Sequence, residues 1–320
     1  MTKCLITGGA GFIGSHLAEE CLERGFTVIV LDNLYSGKRE NLPAQHPRLD
    51  FVEGDIRNTA LIQEIRQDNE DMDYLFHLAA IPSVTLSMEK PFYTHQVNFE
   101  GTLFLLDTFK DSGIKKFVFA SSAAVYGDTK KAPVSEKDLP APISPYGADK
   151  LGCEYFLKIF NDAFQIPTVA CRFFNVFGER QDPSSPYSGV ISLFFDRAMA
   201  RKKGEDAGID IYGDGKQTRD FIYVKDVVRA CLYLAEKEHL RGEIFNVGYE
   251  RQITIADLAK DVQRLLEVDL PVHFREPRKG DVRQSMAAIQ KLRQTGFESA
   301  YGYRKGLERL AAFLEHQEVV

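Results

Sequence analysis

The first strand of this chain ends in glycine. The β-rich run Lys3–Thr7 passes straight into "GGAGFIG", placing Gly8, Gly11 and Gly14 three apart before a helical pattern that begins at Phe12. Glycines at that spacing let backbone approach an anion at a helix N-terminus, which fits only a strand–turn–helix unit. Short β-rich runs then alternate with helical patterns, predicting a parallel sheet covered by helices. Strands are expected at 3–7, 27–32, 50–53, 74–78, 116–120 and 168–172. Helices are expected near 12–24, 59–66, 95–112 and 146–163. The fold class is therefore α/β, a Rossmann-type doubly wound parallel sheet. A dinucleotide-binding domain is expected over 1–175, returning near 224–248, with a smaller, discontinuous C-terminal substrate lobe over 176–320.

The net charge of −6 gives no broad attraction to nucleic acid or to an anionic membrane. Five scattered cysteines without a C-x-x-C pair indicate neither a disulfide framework nor a zinc site, and no metal is expected. No apolar run approaches the roughly 20 residues of a membrane span, and the N-terminus is too short in apolar residues for a signal peptide. The expected location is the cytoplasm.

At the end of the second strand, Asp32 in "VIVLDN" can accept hydrogen bonds from an adenosine ribose, and its charge disfavours a 2′-phosphate. NAD is thus expected over NADP. Asp55 and Ile56 of "EGDIRN" follow the third strand. Leu78, Ala79 and Ala80 follow the fourth, small enough for a dinucleotide to lie close to backbone. His77 reads as a packed strand residue. The fifth strand delivers Ser121 and Ser122 to the same edge of the sheet. In "SPYGADK", Tyr146 and Lys150 stand four apart on one helix face, just after a proline placed to start that helix. A serine hydroxyl, a phenol and an ammonium there can surround one substrate hydroxyl. The lysine cation, together with oxidised nicotinamide, would favour phenolate, making Tyr146 the acid–base group.

These motifs, with "RFFNVFG", "GDGKQTRDFIYVKDVV" and "PRKGD", resemble those of the extended short-chain dehydrogenase/reductases, in the sugar-nucleotide epimerase/dehydratase group. The resemblance covers nearly the whole chain. It implies bound NAD, a nucleoside-diphosphate sugar substrate, and a catalytic trio of Ser122, Tyr146 and Lys150. By the same resemblance the cofactor is held by Gly8, Gly11, Phe12, Ile13, Gly14, Asp32, Asn33, Ser36, Gly37, Asp55, Ile56, Leu78, Ala79, Ala80, Asn98 and Phe173, besides Tyr146 and Lys150. Asn175 and Arg219 would contact diphosphate, and Arg278 and Asp281 would hold phosphate and uridine ribose. Ser83, Ser122 and Gln181 would line the sugar pocket.

Related 4,6-dehydratases place an acidic pair directly after the serine or threonine, and related decarboxylases a glutamate two residues before the equivalent of Tyr126. Here those positions are Ala123 and Ala124. Alanine transfers no proton, so a UDP-hexose 4-epimerase is the expected activity. Ser285 matches a position where a bulky tyrosine restricts 4-epimerases to unacetylated hexoses. Its small size implies UDP-GlcNAc/UDP-GalNAc as substrates, with UDP-Glc/UDP-Gal as well. Epimerisation of UDP-glucuronate or a UDP-pentose, and a non-catalytic nucleotide-sugar-binding protein, are the competing readings. Two positions depart from the family pattern: Phe173, where many epimerases carry tyrosine, and Pro82, where some carry lysine. The resemblance also implies a homodimer formed through helices 95–112 and 146–163.

Overall fold

A computed structural model describes residues 1–129, 131–185, 189–277 and 282–317. Backbone packing divides the chain into two compact units, one of Met1–Gly127, Leu139–Phe173 and Val228–Phe245, the other of Asp128–Asp138, Phe174–Val227 and Asn246–Val320. The stretch 128–138 joins the second unit, an excursion absent from the sequence reading.

The first unit is built on a seven-stranded sheet. Its strands in chain order are β1 (Lys3–Thr7), β2 (Thr27–Asp32), β3 (Leu49–Glu53), β4 (Tyr74–His77), β5 (Lys116–Ser122) and β6 (Thr168–Phe173), with Glu243–Val247 at the edge beside β6. In space they run Glu243–Val247, β6, β5, β4, β1, β2, β3, and the pairs from β6 to β3 are all parallel. Chain order reverses between β1 and β4, so the crevice at their carboxyl ends is the switch point where such sheets bind ligands. Leu5, Leu31, Leu75, Phe117 and Phe119 of the strands are fully buried, against Leu105, Leu106, Phe109 and Leu157 from the helices. Such near-continuous apolar strands mark a sheet covered on both faces.

Two departures from the sequence reading move functional residues. β5 runs two residues longer than expected, so Ser122 is its last residue, with extended backbone. The helix expected from 95 begins at Pro91 and passes through a π turn at Gln96–Glu100 before continuing over Gly101–Phe109. A further short helix, Val84–Glu89, was not expected from the sequence; Ser83 caps it, accepting from Leu86 N at 2.9 Å. The helix carrying Tyr146 and Lys150 spans Pro145–Phe164, with Pro145 as its first residue and Ser144 Oγ accepting from Gly147 N.

The second unit contains helices Val190–Lys202, Ile255–Leu266 and Gly302–Gln317 and three short strand pairs. Phe177, Phe221, Tyr223, Tyr301 and Tyr303 form its aromatic cluster, and the Tyr223 hydroxyl donates to Glu179. Among the described residues, no helix is long and apolar enough to cross a membrane.

Candidate active site

The glycine loop is closed on itself and on the neighbouring strand exit. Gly8 N donates to Leu31 O at 2.8 Å, and Gly8 adopts a positive φ of 71° that L side chains rarely take. A Cβ at Gly8 would stand 2.7 Å from Ala79 N, and one at Gly14 only 2.1 Å from Gly8 O. Both positions therefore require glycine, and the start of helix Phe12–Glu23 presents bare backbone. Asp32 is held beside it: one carboxylate oxygen accepts from Ala10 N at 2.9 Å, the other from Leu34 N at 2.8 Å. Burial raises the Asp32 pKa, and these backbone donors oppose that rise. A Cβ-free cradle with a fixed carboxylate at the tip of β2 fits a dinucleotide's pyrophosphate and adenosine ribose.

The remaining cofactor candidates are spread over the same unit. Asn33 Nδ2 donates to Asp55 Oδ2 at 2.9 Å, while Ser36 is exposed and Gly37 packs against the Asp32 carboxylate. Asp55 is gripped by both arms of Arg57, at 2.9 and 2.8 Å, and that contact lowers its pKa to about 2. Arg57 was missed in the sequence although it stands in "GDIRN", two residues after Asp55. Asn98 brackets the Ile81 backbone, its Oδ1 accepting from Ile81 N at 2.7 Å and its Nδ2 donating to Ile81 O at 3.2 Å. It thereby braces the 78–83 loop from the π turn. His77 is buried as expected, bonded through its two nitrogens to Thr7 and Thr102 hydroxyls, and burial lowers its pKa to about 3. Ile56 and Phe173 are largely buried, and Phe12, Ile13, Leu78, Ala79 and Ala80 half-buried.

The structure brings Ser122, Tyr146 and Lys150 together. The Ser122 side chain acts on the Tyr146 phenol, lowering its pKa, and Ser122 Oγ accepts from Ala124 N at 3.1 Å. Lys150 is 2% exposed; its ammonium donates to Ala120 O at 2.8 Å and lies 4.5 Å from the Phe119 ring centroid. Burial lowers the Lys150 pKa to about 8, leaving it protonated at neutral pH. The expected phenolate depends on Lys150 together with oxidised nicotinamide, and the chain without the cofactor does not favour it. Burial raises the Tyr146 pKa and Ser122 opposes the rise, while the Lys150 ammonium donates to the Ala120 carbonyl. The chain alone keeps the phenol protonated.

In the second unit, Asn175 opens the strand Asn175–Phe177, paired with Phe221–Tyr223. Arg219 donates to Thr218 O and Val282 O. The adjacent Asp220, missed in the sequence, is fully buried and accepts from Tyr249, Glu250 and Ala287 N–H groups. Burial, opposed by those donors, raises its pKa to about 6. Gln181 Oε1 is shielded from solvent without a hydrogen-bond partner, and its amide packs on Gly189. Ser285 is half-buried in a segment whose flanks bond to Thr218 and Val134. Arg278 and Asp281 lie outside the described residues.

A profile of the family described as "NAD dependent epimerase/dehydratase" matches residues 4–248. The chain belongs to this family. NAD is its cofactor. Over 99% of its length this epimerase/dehydratase superimposes on 99% of a UDP-N-acetylglucosamine 4-epimerase from Methanobrevibacter ruminantium, solved with UDP-N-acetylmuramic acid (37% identity, TM-score 0.92). It is equally similar to a UDP-glucose 4-epimerase from Thermotoga maritima solved with UDP-glucose (37% identity, TM-score 0.92, 99% and 100% of the two chains). A UDP-N-acetyl-α-D-glucosaminuronate decarboxylase from Bacillus cytotoxicus is 39% identical over 272 residues, 82% of this chain and 80% of that protein.

Proposed function

We propose that this protein interconverts the C4 epimers of a UDP-hexose, taking UDP-GlcNAc/UDP-GalNAc as well as UDP-Glc/UDP-Gal. One observation carries the reading: Ser122 acts directly on the Tyr146 phenol, lowering its pKa, while the two positions after that serine are alanine. Bound NAD supplies hydride-accepting and hydride-returning chemistry. Tyr146 takes the proton of the sugar 4-hydroxyl, and Ser122 holds that hydroxyl in line with the phenol. The cationic Lys150, one helical turn away, together with the positive charge of oxidised NAD, would favour the phenolate that the chain alone does not form. Ala123 and Ala124 supply no acid or base for the proton transfers that elimination of water or loss of CO₂ would demand.

The two similar 4-epimerases support the activity, and their differing sugars support a pocket that accepts both kinds. Gln181, with an unpartnered buried carbonyl, would contact the sugar, with the small Ser285 leaving room for an acetamido group. Asn175 and Arg219 would bind diphosphate, with Arg278 and Asp281 on phosphate and ribose. A homodimer goes with the proposal, since Tyr155 and Ile159 are 60% and 51% exposed on helix Pro145–Phe164; analytical ultracentrifugation tests it.

Purified protein is incubated with UDP-GlcNAc, UDP-glucose and UDP-glucuronate, and the products are separated by ion-pair chromatography. C4 epimers are expected from the first two. A 4-keto-6-deoxy sugar, or a decarboxylated pentose from UDP-glucuronate, would overturn the reading. Tyr146→Phe should lower kcat by about 100-fold or more; unchanged turnover would remove the phenol from the mechanism.

A further inference from the structure

A buried carboxylate and a buried guanidinium adjoin the trio without taking part in its chemistry. Glu154 follows Lys150 by one turn, so Tyr146, Lys150 and Glu154 recur four residues apart along helix Pro145–Phe164. The Glu154 carboxylate, 2% exposed, accepts from Arg172 Nε at 2.9 Å and Arg172 Nη2 at 2.6 Å. Ser121 Oγ donates to Glu154 Oε1 at 2.5 Å. Arg172, equally buried, has its guanidinium 4.7 Å from the Tyr126 ring centroid. Three elements thus converge on one carboxylate: β5 at the residue before Ser122, β6 at the residue before Phe173, and the helix bearing Tyr146 and Lys150.

As a fastener alone, an apolar pair of similar volume would serve as well, because desolvating two charges often costs more than their attraction returns. An ion pair differs in being charged yet neutral in sum. Besides burial, which lowers the Lys150 pKa, Cys153, Asp149 and Glu154 act on it in the opposite sense. Asp149 is bonded to His95 at 2.7 Å, and His77 is neutral within its two threonine hydrogen bonds. On the other elements packed against this helix, Glu89, Glu100 and Asp107 are exposed, and Lys116 is bonded to the Lys237 and Leu240 carbonyls. Loss of Arg172 would strip two charge-assisted hydrogen bonds from the buried Glu154 anion, adding to the anionic influence that Lys150 already feels from Glu154.

We propose that Glu154 and Arg172 are the positioning and charge-balancing pair of the catalytic trio, seating Ser122 beside Tyr146 and holding the net charge beneath Lys150 at zero. The inference rests on Tyr146 being the acid–base group. Its test is the pH profile of kcat for UDP-sugar epimerisation by the NAD-loaded enzyme. Glu154→Gln leaves an uncancelled cation, favouring phenolate, and should move the acid midpoint down by about one pH unit; Arg172→Met leaves an anion and should move it up by about as much. Glu154→Gln/Arg172→Met and Arg172→Lys both keep the local sum at zero, so their midpoints should stay within about 0.3 unit of the parent. The double variant should lose about tenfold in kcat as Ser122 is released, and Arg172→Lys less, because it restores part of the bond.

Single-variant midpoints that stay fixed, or move in the same direction, overturn the proposal. Should a single variant fail to fold, the two neutral variants decide: midpoints differing by about a unit overturn it. Tyr146→Phe, measured in parallel, separates the causes. Full activity there defeats the mechanism itself; an inactive Tyr146→Phe beside unmoved midpoints defeats only the role of the pair.

Discussion

Gly14→Ala inserts a methyl where the loop has no room for one. The new Cβ would sit 2.1 Å from Gly8 O and 2.8 Å from Gly9 Cα, backbone atoms of one turn. Ordinary carbon contacts lie near 3.5–4.0 Å, so the turn must open by roughly 1 Å. Gly8 cannot yield freely, because its N–H is bonded to Leu31 O and its open side faces Ala79 backbone. Overpacking of this kind costs about 1–3 kcal/mol, which for a chain of this size lowers Tm by about 1.5–5 °C. Displaced N–H groups would also lose hydrogen bonds to an anionic pyrophosphate, each worth about 1.5–3 kcal/mol. One such loss weakens NAD binding by about 10- to 100-fold. Calorimetric titration of NAD into the stripped protein, with differential scanning calorimetry, measures both effects. Gly25→Ala is the control: its Cβ would meet nothing within 4 Å, but its φ of +83° makes alanine strained. That variant should lose about 1 kcal/mol of stability and keep the NAD affinity of the parent. A Gly14→Ala protein with parental Tm and NAD affinity would refute the steric reasoning, as would equal weakening by Gly25→Ala.

Ser285→Tyr should abolish turnover of UDP-GlcNAc while sparing UDP-glucose, as measured by kcat/KM on each; equal loss of both would end the gatekeeper role. Asp55 has a folded pKa lowered by Arg57 to about 2, so its stabilisation is present above about pH 4 and is lost as pH falls toward 2. Because both side chains are partly exposed, Asp55→Asn should cost only about 1 kcal/mol at pH 7 and flatten that acid-side decline, read from urea unfolding at several pH values. Asn98→Leu leaves the Ile81 N–H and C=O unpaired; a loss of about 2–4 kcal/mol is expected by chemical denaturation.

Local chemistry made some of the molecule legible in advance. β1 and β2 have the expected bounds because β-branched runs end there at glycine or at Asp32, and the Ser144–Pro145 helix start is capping chemistry written in the sequence. The π turn was not legible. It depends on partners distant in sequence, with Asn98 bracketing Ile81 and Phe99 packed where Gly152 has no side chain. The meeting of Ser122 with Tyr146 followed from both lying at one sheet edge. The direction of the phenol's shift did not, because it turns on how deeply the phenol is buried once the chain folds. Glu154 and Arg57 sit four and two residues from quoted motif residues, yet their weight comes from Arg172 and Asp55, found only after folding.

The chain passes from one compact unit to the other at 127/128, 138/139, 173/174, 227/228 and 245/246. A fragment ending near 175 would lack the whole edge strand Glu243–Val247 that completes the sheet beside β6. Such a truncation would leave β6 with bare backbone along one side, a template for sticking to other chains. Exchanging sugar preference between relatives by cutting and rejoining at a single point is therefore a poor strategy here. Recoding individual side chains in place, with the covalent path untouched, respects how the polypeptide is threaded.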